Sequence, residues 1–156
     1  MFLCLLYFCF VDDNDLAGQI PAELSQLYNL EVLKLENGKI GGTIPSSLGN
    51  LTNLLELDLD FNLLTGSIPQ ELSNAVQLQV LDLNNNYDLT GDMNPLSRLI
   101  NLQFIQIHHT KIMGTIPDEL GGLKDLGECT SLIQKCWRRQ WRNRNRVNSL
   151  LGIGLG

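Results

Sequence analysis

The chain predicts an α/β repeat solenoid, a right-handed superhelix with a short parallel sheet on its concave face. Three observations predict it. A 24-residue stretch recurs without a gap at 30–53, 54–77, 78–101 and 102–125, a fixed period of the length that marks stacked repeat architectures. Each copy opens with alternating apolar residues and closes with apolar residues at helical spacing. Between the two lies a Gly-x-Ile-Pro turn, altered only in the copy that starts at Leu78.

The copy at 54–77, LLELDLDFNLLTGSIPQELSNAVQ, shows how each piece is expected to form. Leu54, Leu57 and Leu59 alternate around Glu56 and Asp58, which reads as a strand with one buried and one wet face. Gly66 and Ile68-Pro69 turn the chain, and Leu72 and Ala75 then face inward on the return. No copy can bury its own leucines, so neighbours must stack to close a core.

A fainter copy precedes these four, with Leu6, Cys9, Val11, Asn14, Leu16, Gly18, Ile20-Pro21, Leu24 and Leu27 in register. The solenoid is therefore expected over residues 1–125, with repeats at 6–29, 30–53, 54–77, 78–101 and 102–125. The opening MFLCLLYFCF competes as a secretory signal. It has no Lys or Arg and is followed by Asp12-Asp13, which favours a strand, and it is too short for the ~20 residues that span a bilayer. The ninth position of each repeat is Asn14, Gly38, Asn62, Asn86 and Thr110. An amide there can satisfy the backbone of adjacent turns; Thr110 keeps a hydroxyl, and Gly38 is expected to leave its loop to water. Asn86 to Gly91 is one residue longer than Asn62 to Gly66, and the segment after it is one shorter, so a bulge with Tyr87 protruding is expected.

LTGSIPQEL, IGGTIPSSLGNLTNL and IMGTIPDELGGL resemble the plant-type leucine-rich repeat of receptor-like kinases, receptor-like proteins and polygalacturonase inhibitors. The resemblance covers residues 6–125. It implies a non-catalytic module that recognises a protein or peptide through its concave face, with an extracellular or cell-surface location. Two alternatives stand beside it: a fragment of a receptor-like kinase ectodomain, its kinase domain absent from these residues, and an inhibitor of a cell-wall-degrading enzyme. A cytoplasmic location is expected instead if the N-terminus is complete and unprocessed, and membrane attachment requires a segment outside this chain.

Outward strand positions form columns when parallel strands stack. The fifth position runs Phe10, Lys34, Asp58, Asp82, Gln106; the seventh Asp12, Glu36, Asp60, Asn84, His108; the eighth Asp13, Asn37, Phe61, Asn85, His109. The centre is acidic, and like charges opposite each other on a sheet are unfavourable, so a cationic partner would relieve them. A basic peptide or protein is preferred to a hard cation such as calcium, with a merely solvated acidic face as the competing reading. Phe8, Val32, Leu55, Phe61, Val80 and Phe104 add apolar contacts, of which Leu55 and Phe61 are the strongest candidates. The expected partner-binding set is thus Glu36, Leu55, Glu56, Asp58, Asp60, Phe61, Asp82, Asn84, Phe104 and His108.

No catalytic residue, metal or cofactor is expected, and no small-molecule substrate. His108 and His109 are adjacent on a strand and so diverge unless the strand ends between them, and no phosphate-binding loop, kinase signature or CxxC pair occurs. Asn50-Leu51-Thr52 is a glycosylation sequon on the convex side, although the repeat pattern itself writes it.

Beyond Asp125 the period stops. Residues 1–125 carry 5 Lys and Arg against 16 Asp and Glu, net −11; residues 126–156 carry 6 against 1, net +5. The Arg- and Trp-rich tail has three readings: a phosphate- or membrane-binding segment, a strap folding back on the acidic face, or sequence from a shifted frame or unspliced intron. The last is favoured because the repeat is cut mid-copy, and nucleic-acid binding is disfavoured.

Overall fold

A computed structural model describes residues 6–10, 16–114 and 117. Asn14, the last part of the 102–125 repeat and the 126–156 tail lie outside the described residues.

Among the described residues, nine strands pair into two parallel sheets. The first joins β1 (Phe8–Phe10), β3 (Val32–Lys34), β5 (Glu56–Asp58), β7 (Val80–Asp82) and β9 (Phe104–Gln106). Its register is constant, with Phe8 opposite Val32, Val32 opposite Glu56, Glu56 opposite Val80 and Val80 opposite Phe104. The sequence period has become a spatial one: every strand meets the residue 24 positions away. Alternation then puts Leu33, Leu57, Leu81 and Ile105 inward, all with no exposed surface.

The second sheet was not foreseen. It joins β2 (Ala17–Gln19), β4 (Lys39–Thr43), β6 (Leu63–Ser67) and β8 (Asp88–Thr90) along one flank. In place of an α-helix, each return run is a short 3-10 turn, at Ala22–Gln26, Ser46–Asn50, Gln70–Asn74 and Asn94–Leu96. Proline explains the choice. The carbonyls of Pro21, Pro45 and Pro69 each accept the N–H three residues on, at 3.1 Å, and this opens a tight i+3 turn.

Gly66 shows why the flank demands glycine. Its φ is +75°, and a Cβ there would lie 2.9 Å from Thr43 Cγ2 of the preceding repeat. At Gly49 the obstacle is rigid, since a Cβ would sit 2.1 Å from the Glu71 carbonyl oxygen.

Two buried amides, Asn62 and Asn86, each lock their repeat onto the one before it. Asn86 Nδ2 donates to the carbonyls of Leu59 (2.9 Å), Leu83 (3.1 Å) and Asn84 (3.1 Å), while its Oδ1 accepts the Leu64 N–H at 3.0 Å. Asn62 repeats this arrangement on Leu35, Leu59, Asp60 and Ile40. Thr110 Oγ1 bonds only within its own turn, to Ile107 and Ile112. Gly38 does not leave its loop to water as expected: its N–H donates to the Phe61 carbonyl, and the space beside its Cα is filled by Asn62 Oδ1. On the convex side, Asn53 and Asn101 make a second amide clamp, to the Tyr28 and Val76 carbonyls.

The longer loop is absorbed in the flank. Pairs β2–β4 and β4–β6 join residues 22 apart, whereas β6–β8 joins residues 23 apart, Thr65 with Asp88. The following 3-10 turn is three residues instead of five, and Tyr87 protrudes at 62% exposure.

Removing an amide that bridges two repeats strands several buried backbone groups, each costing about 1–3 kcal/mol. Asn86→Ala is expected to lose roughly 2–4 kcal/mol in chemical denaturation, and Thr110→Ala about 1 kcal/mol or less. Equal losses would show that reach into the preceding repeat adds nothing. Gly49→Ala is expected to cost at least about 1–3 kcal/mol, because backbone must move.

Candidate functional site

The outward face of the first sheet carries three columns. The third-position column, Phe8, Val32, Glu56, Val80 and Phe104, is apolar except for Glu56. Beside it run Lys34, Asp58, Asp82 and Gln106, paired strand to strand. Beyond the strand ends come Glu36, Asp60, Asn84 and His108.

The carboxylates are crowded. Oxygen atoms of Glu36, Asp58 and Asp60 all lie within 4.8 Å of one another. Lys34 Nζ sits 2.6 Å from Glu56 Oε1, so the cation of this column is already engaged. Glu36 is pushed up to about 7, first by its hydrogen bond with Asp58 and then by burial and the charges of Asp58 and Asp60. Burial, with the Asp58 charge, raises Asp60 to about 6; burial, with Asp58 and Asp60, raises Asp82 to about 7. The Glu56 hydrogen bond raises Lys34 against the opposing effect of burial.

Two of the expected contact residues are less open than their columns suggested. Asp58 is 9% exposed, and its Oδ1 accepts the Asp60 N–H at 3.2 Å. Asn84 is 4% exposed; its amide donates to Gln106 Oε1, and its Oδ1 accepts the His108 N–H at 2.8 Å. Both are short side chains beside a turn, but Asp58 reaches the donor of its own turn, as Asp82 Oδ1 does for the Asn84 N–H, whereas Asn84 bridges to the next repeat. Glu56, Leu55 and Phe104 are half-buried, and Phe61 is 53% exposed.

Phe61 does not lie on a strand. Asn37, Phe61, Asn85 and His109 all adopt a left-handed backbone, with φ from 48° to 55°. Asparagine recurring after LxLx carried that signal. The same kink alters the histidines: instead of diverging, their rings meet edge-on with centroids 6.0 Å apart, and Tyr87 lies 6.0 Å from His109. A separate groove of about 350 Å³ on the flank, between Ile68-Pro69 and Asn94-Pro95, has Asp92 as its lone titratable residue. Asn50 and Thr52 of the sequon are exposed around fully buried Leu51.

The repeats meet independent counterparts. A Leucine rich repeat family model matches residues 28–87, and a second, Leucine Rich Repeat, matches residues 101–123. This chain is a leucine-rich-repeat protein. Its leucine-rich repeats superpose on the plant peptide hormone receptor RGFR1, solved in complex with RGF2, at TM-score 0.76 and 33% identity over 81% of this chain. The Arabidopsis receptor kinase HAESA, solved with the peptide hormone IDA and the co-receptor SERK1, gives TM-score 0.74 and 37% identity over 81%. A plant ice-binding protein gives 0.69 and 30% over 80%. The chain spans about a fifth of each receptor structure and 42% of the ice-binding protein. No curated protein sequence matches it. Among the described residues, no helix is long and apolar enough to cross a membrane.

Crowded carboxyls make stability depend on pH. Groups raised in the fold keep protons that the unfolded chain has released, so their contribution is complete below about pH 4 and is lost as pH rises through about 6–7. Melting temperature is therefore expected to fall between pH 4 and 8, and Asp82→Asn, which keeps an oxygen for the Asn84 N–H, should flatten that fall. A melting temperature that rises over this range would contradict the account.

Proposed function

We propose that this leucine-rich-repeat module recognises a basic peptide or protein segment, without catalysis, through the concave face around Glu36, Asp58, Asp60 and Asp82. One observation carries the reading: three carboxylates within 4.8 Å of one another, with Lys34 already paired to Glu56, form a strip that a cationic partner would stabilise. The apolar column beside it supplies the other half of a recognition surface, dry contacts flanked by charge. Val32, Val80 and Phe104 of that column are half-buried, Phe8 is exposed, and half-buried Leu55 lies at the neighbouring second position.

The receptor-like reading gains support from the company the fold keeps, since RGFR1 and HAESA were both solved with peptide hormones. The ice-binding relative is a reminder that the same solenoid serves other ends, so the argument for this chain rests on its own side chains. Such ectodomains face the outside of the cell, and we assign this module there, with Asn50 as a glycan acceptor on the side away from the concave face. Rim positions give His108 and His109 a recognition role.

Two measurements test the reading. Binding of a basic peptide should weaken roughly tenfold or more when Glu36→Gln and Asp82→Asn are combined, and should decline with salt, while Glu71→Gln on the return run leaves it unchanged. Equal affinity in all three proteins would reduce the acidic strip to a solvated face. Intact-mass analysis of the protein from its own tissue should show a glycan that disappears in Asn50→Gln; a bare Asn50 would remove the support for secretion.

A further inference from the structure

The first winding is buried differently from those that follow. Leu6 is 40% exposed, whereas Leu30, Leu54 and Leu78, at the same position of later repeats, are 0% exposed. Leu16 is 38% exposed and its counterpart Leu64 is 0% exposed. Cys9 is only partly buried, although Leu33, Leu57 and Leu81 of its column are fully enclosed. Tyr7, Phe8 and Phe10 at the same end are exposed, and the Phe8 and Phe10 rings stack 4° from parallel with centroids 6.2 Å apart. An apolar end of this kind marks an interaction surface.

The strand at this end is also open on one side. β1 is the first strand of its sheet, and no strand among the described residues meets its outer edge. In a parallel ladder the backbone groups of alternate residues turn to opposite sides. Tyr7 turns its carbonyl to the β3 side, where it accepts the Glu31 and Val32 N–H groups at 2.8 and 3.1 Å. Cys9, opposite Leu33, turns the same way, so the N–H and C=O of Phe8 and Phe10 project from the free edge. Nothing blunts that edge, because residues 6–10, LYFCF, contain neither a charge nor a proline.

These features fit a second copy of the same strand. An uncharged edge meets its own duplicate without like-charge repulsion. Antiparallel pairing about Cys9 sets Phe8 opposite Phe10 of the second copy, and Phe10 opposite Phe8, as hydrogen-bonded pairs that use all four free backbone groups of each strand. Residues directly opposite share a face, so the four rings gather on the concave side.

We propose that β1 is a dimerisation strand, joining two copies of this chain edge to edge through an antiparallel β1 pair centred on Cys9. Two five-stranded sheets then become one of ten strands, and the apolar ends of the two cores close on each other. A twofold contact is self-complementary and closed, so association stops at the dimer. Cys9 falls opposite Cys9 of the second copy in a non-hydrogen-bonded pair, with Cα atoms about 4.5 Å apart, within reach of a disulfide.

Sedimentation of the full chain at roughly 100 μM is expected to show a dimer. In a protein whose other cysteines are replaced, Cys4→Ser, Cys129→Ser and Cys136→Ser, mild oxidation should double the mass through Cys9. Phe10→Lys sets an ammonium against Phe8 of the second copy while leaving the buried core untouched; it should weaken association roughly tenfold or more with an unchanged circular dichroism spectrum. Phe8→Lys carries the same expectation. Ile100→Lys, at an exposed apolar residue beside the convex clamp of Asn101, should leave the dimer intact. A monomer at that concentration, a ladder of larger oligomers or a dimer that Cys9 does not cross-link overturns the proposal. So does a protein that lacks residues 1–10 when isolated from its own tissue.

Discussion

Every repeat in this chain leaves one edge of its strand and one face of its leucines unsatisfied, and only the next repeat can supply both in the same step. The backbone ladder between strands 24 residues apart is therefore the constraint from which the remainder follows. It continues past the strands, where Leu35 and Asn37 donate to Asp58 and Asp60, Leu59 and Phe61 to Asp82 and Asn84, and Leu83 and Asn85 to Gln106 and His108. Asn62 and Asn86 then fasten the turns at the point where the ladder alone would leave carbonyls bare. Once that register is fixed, the outward side chains have no choice about their neighbours.

The acidic strip is a direct product of this lack of choice. Asp58 faces Asp82 because both occupy the fifth position, and each also accepts the N–H two residues on, so aspartate at that position serves the turn as well as the surface. Charge crowding is the cost, and the hydrogen bond of Glu36 to Asp58 and the burial of Asp82, each with the neighbouring carboxylate charges, push both groups up to about 7. Turn chemistry and surface chemistry are thus written in the same residues. Phe61 breaks the pattern, taking the left-handed turn position without a short polar side chain.

The inward positions were legible in the sequence because burial and spacing are both periodic: Leu33, Leu57, Leu81 and Leu54, Leu78 and Leu102 fall where alternation puts them. The amides of Asn62 and Asn86 were legible for the same reason. The second sheet was hidden, since β4 and β6 contain Gly41-Gly42 and Thr65-Gly66-Ser67, which carry little strand signal and pair only because the first sheet brings them side by side. Left-handed kinks at Asn37, Phe61, Asn85 and His109 were hidden too, because treating the eighth position as one more strand residue ignored the turn. The burial of Asp58 follows from the same turn, whose Asp60 N–H it accepts, and that of Asn84 from its bonds to Gln106 and His108 of the next repeat.

The extra residue between Asn86 and Gly91 shifts the flank register from 22 to 23, and the shortened 3-10 turn at Asn94–Leu96 takes the shift back before Phe104. Val80 still meets Phe104 at 24 residues. A length change on one side of the coil is cancelled within a single winding, so no phase error reaches the concave columns. The flank behaves as an expansion joint, and the concave sheet as a ruler whose graduations stay fixed. Loop lengths on the outside of the coil can accordingly change without disturbing the columns of the first sheet.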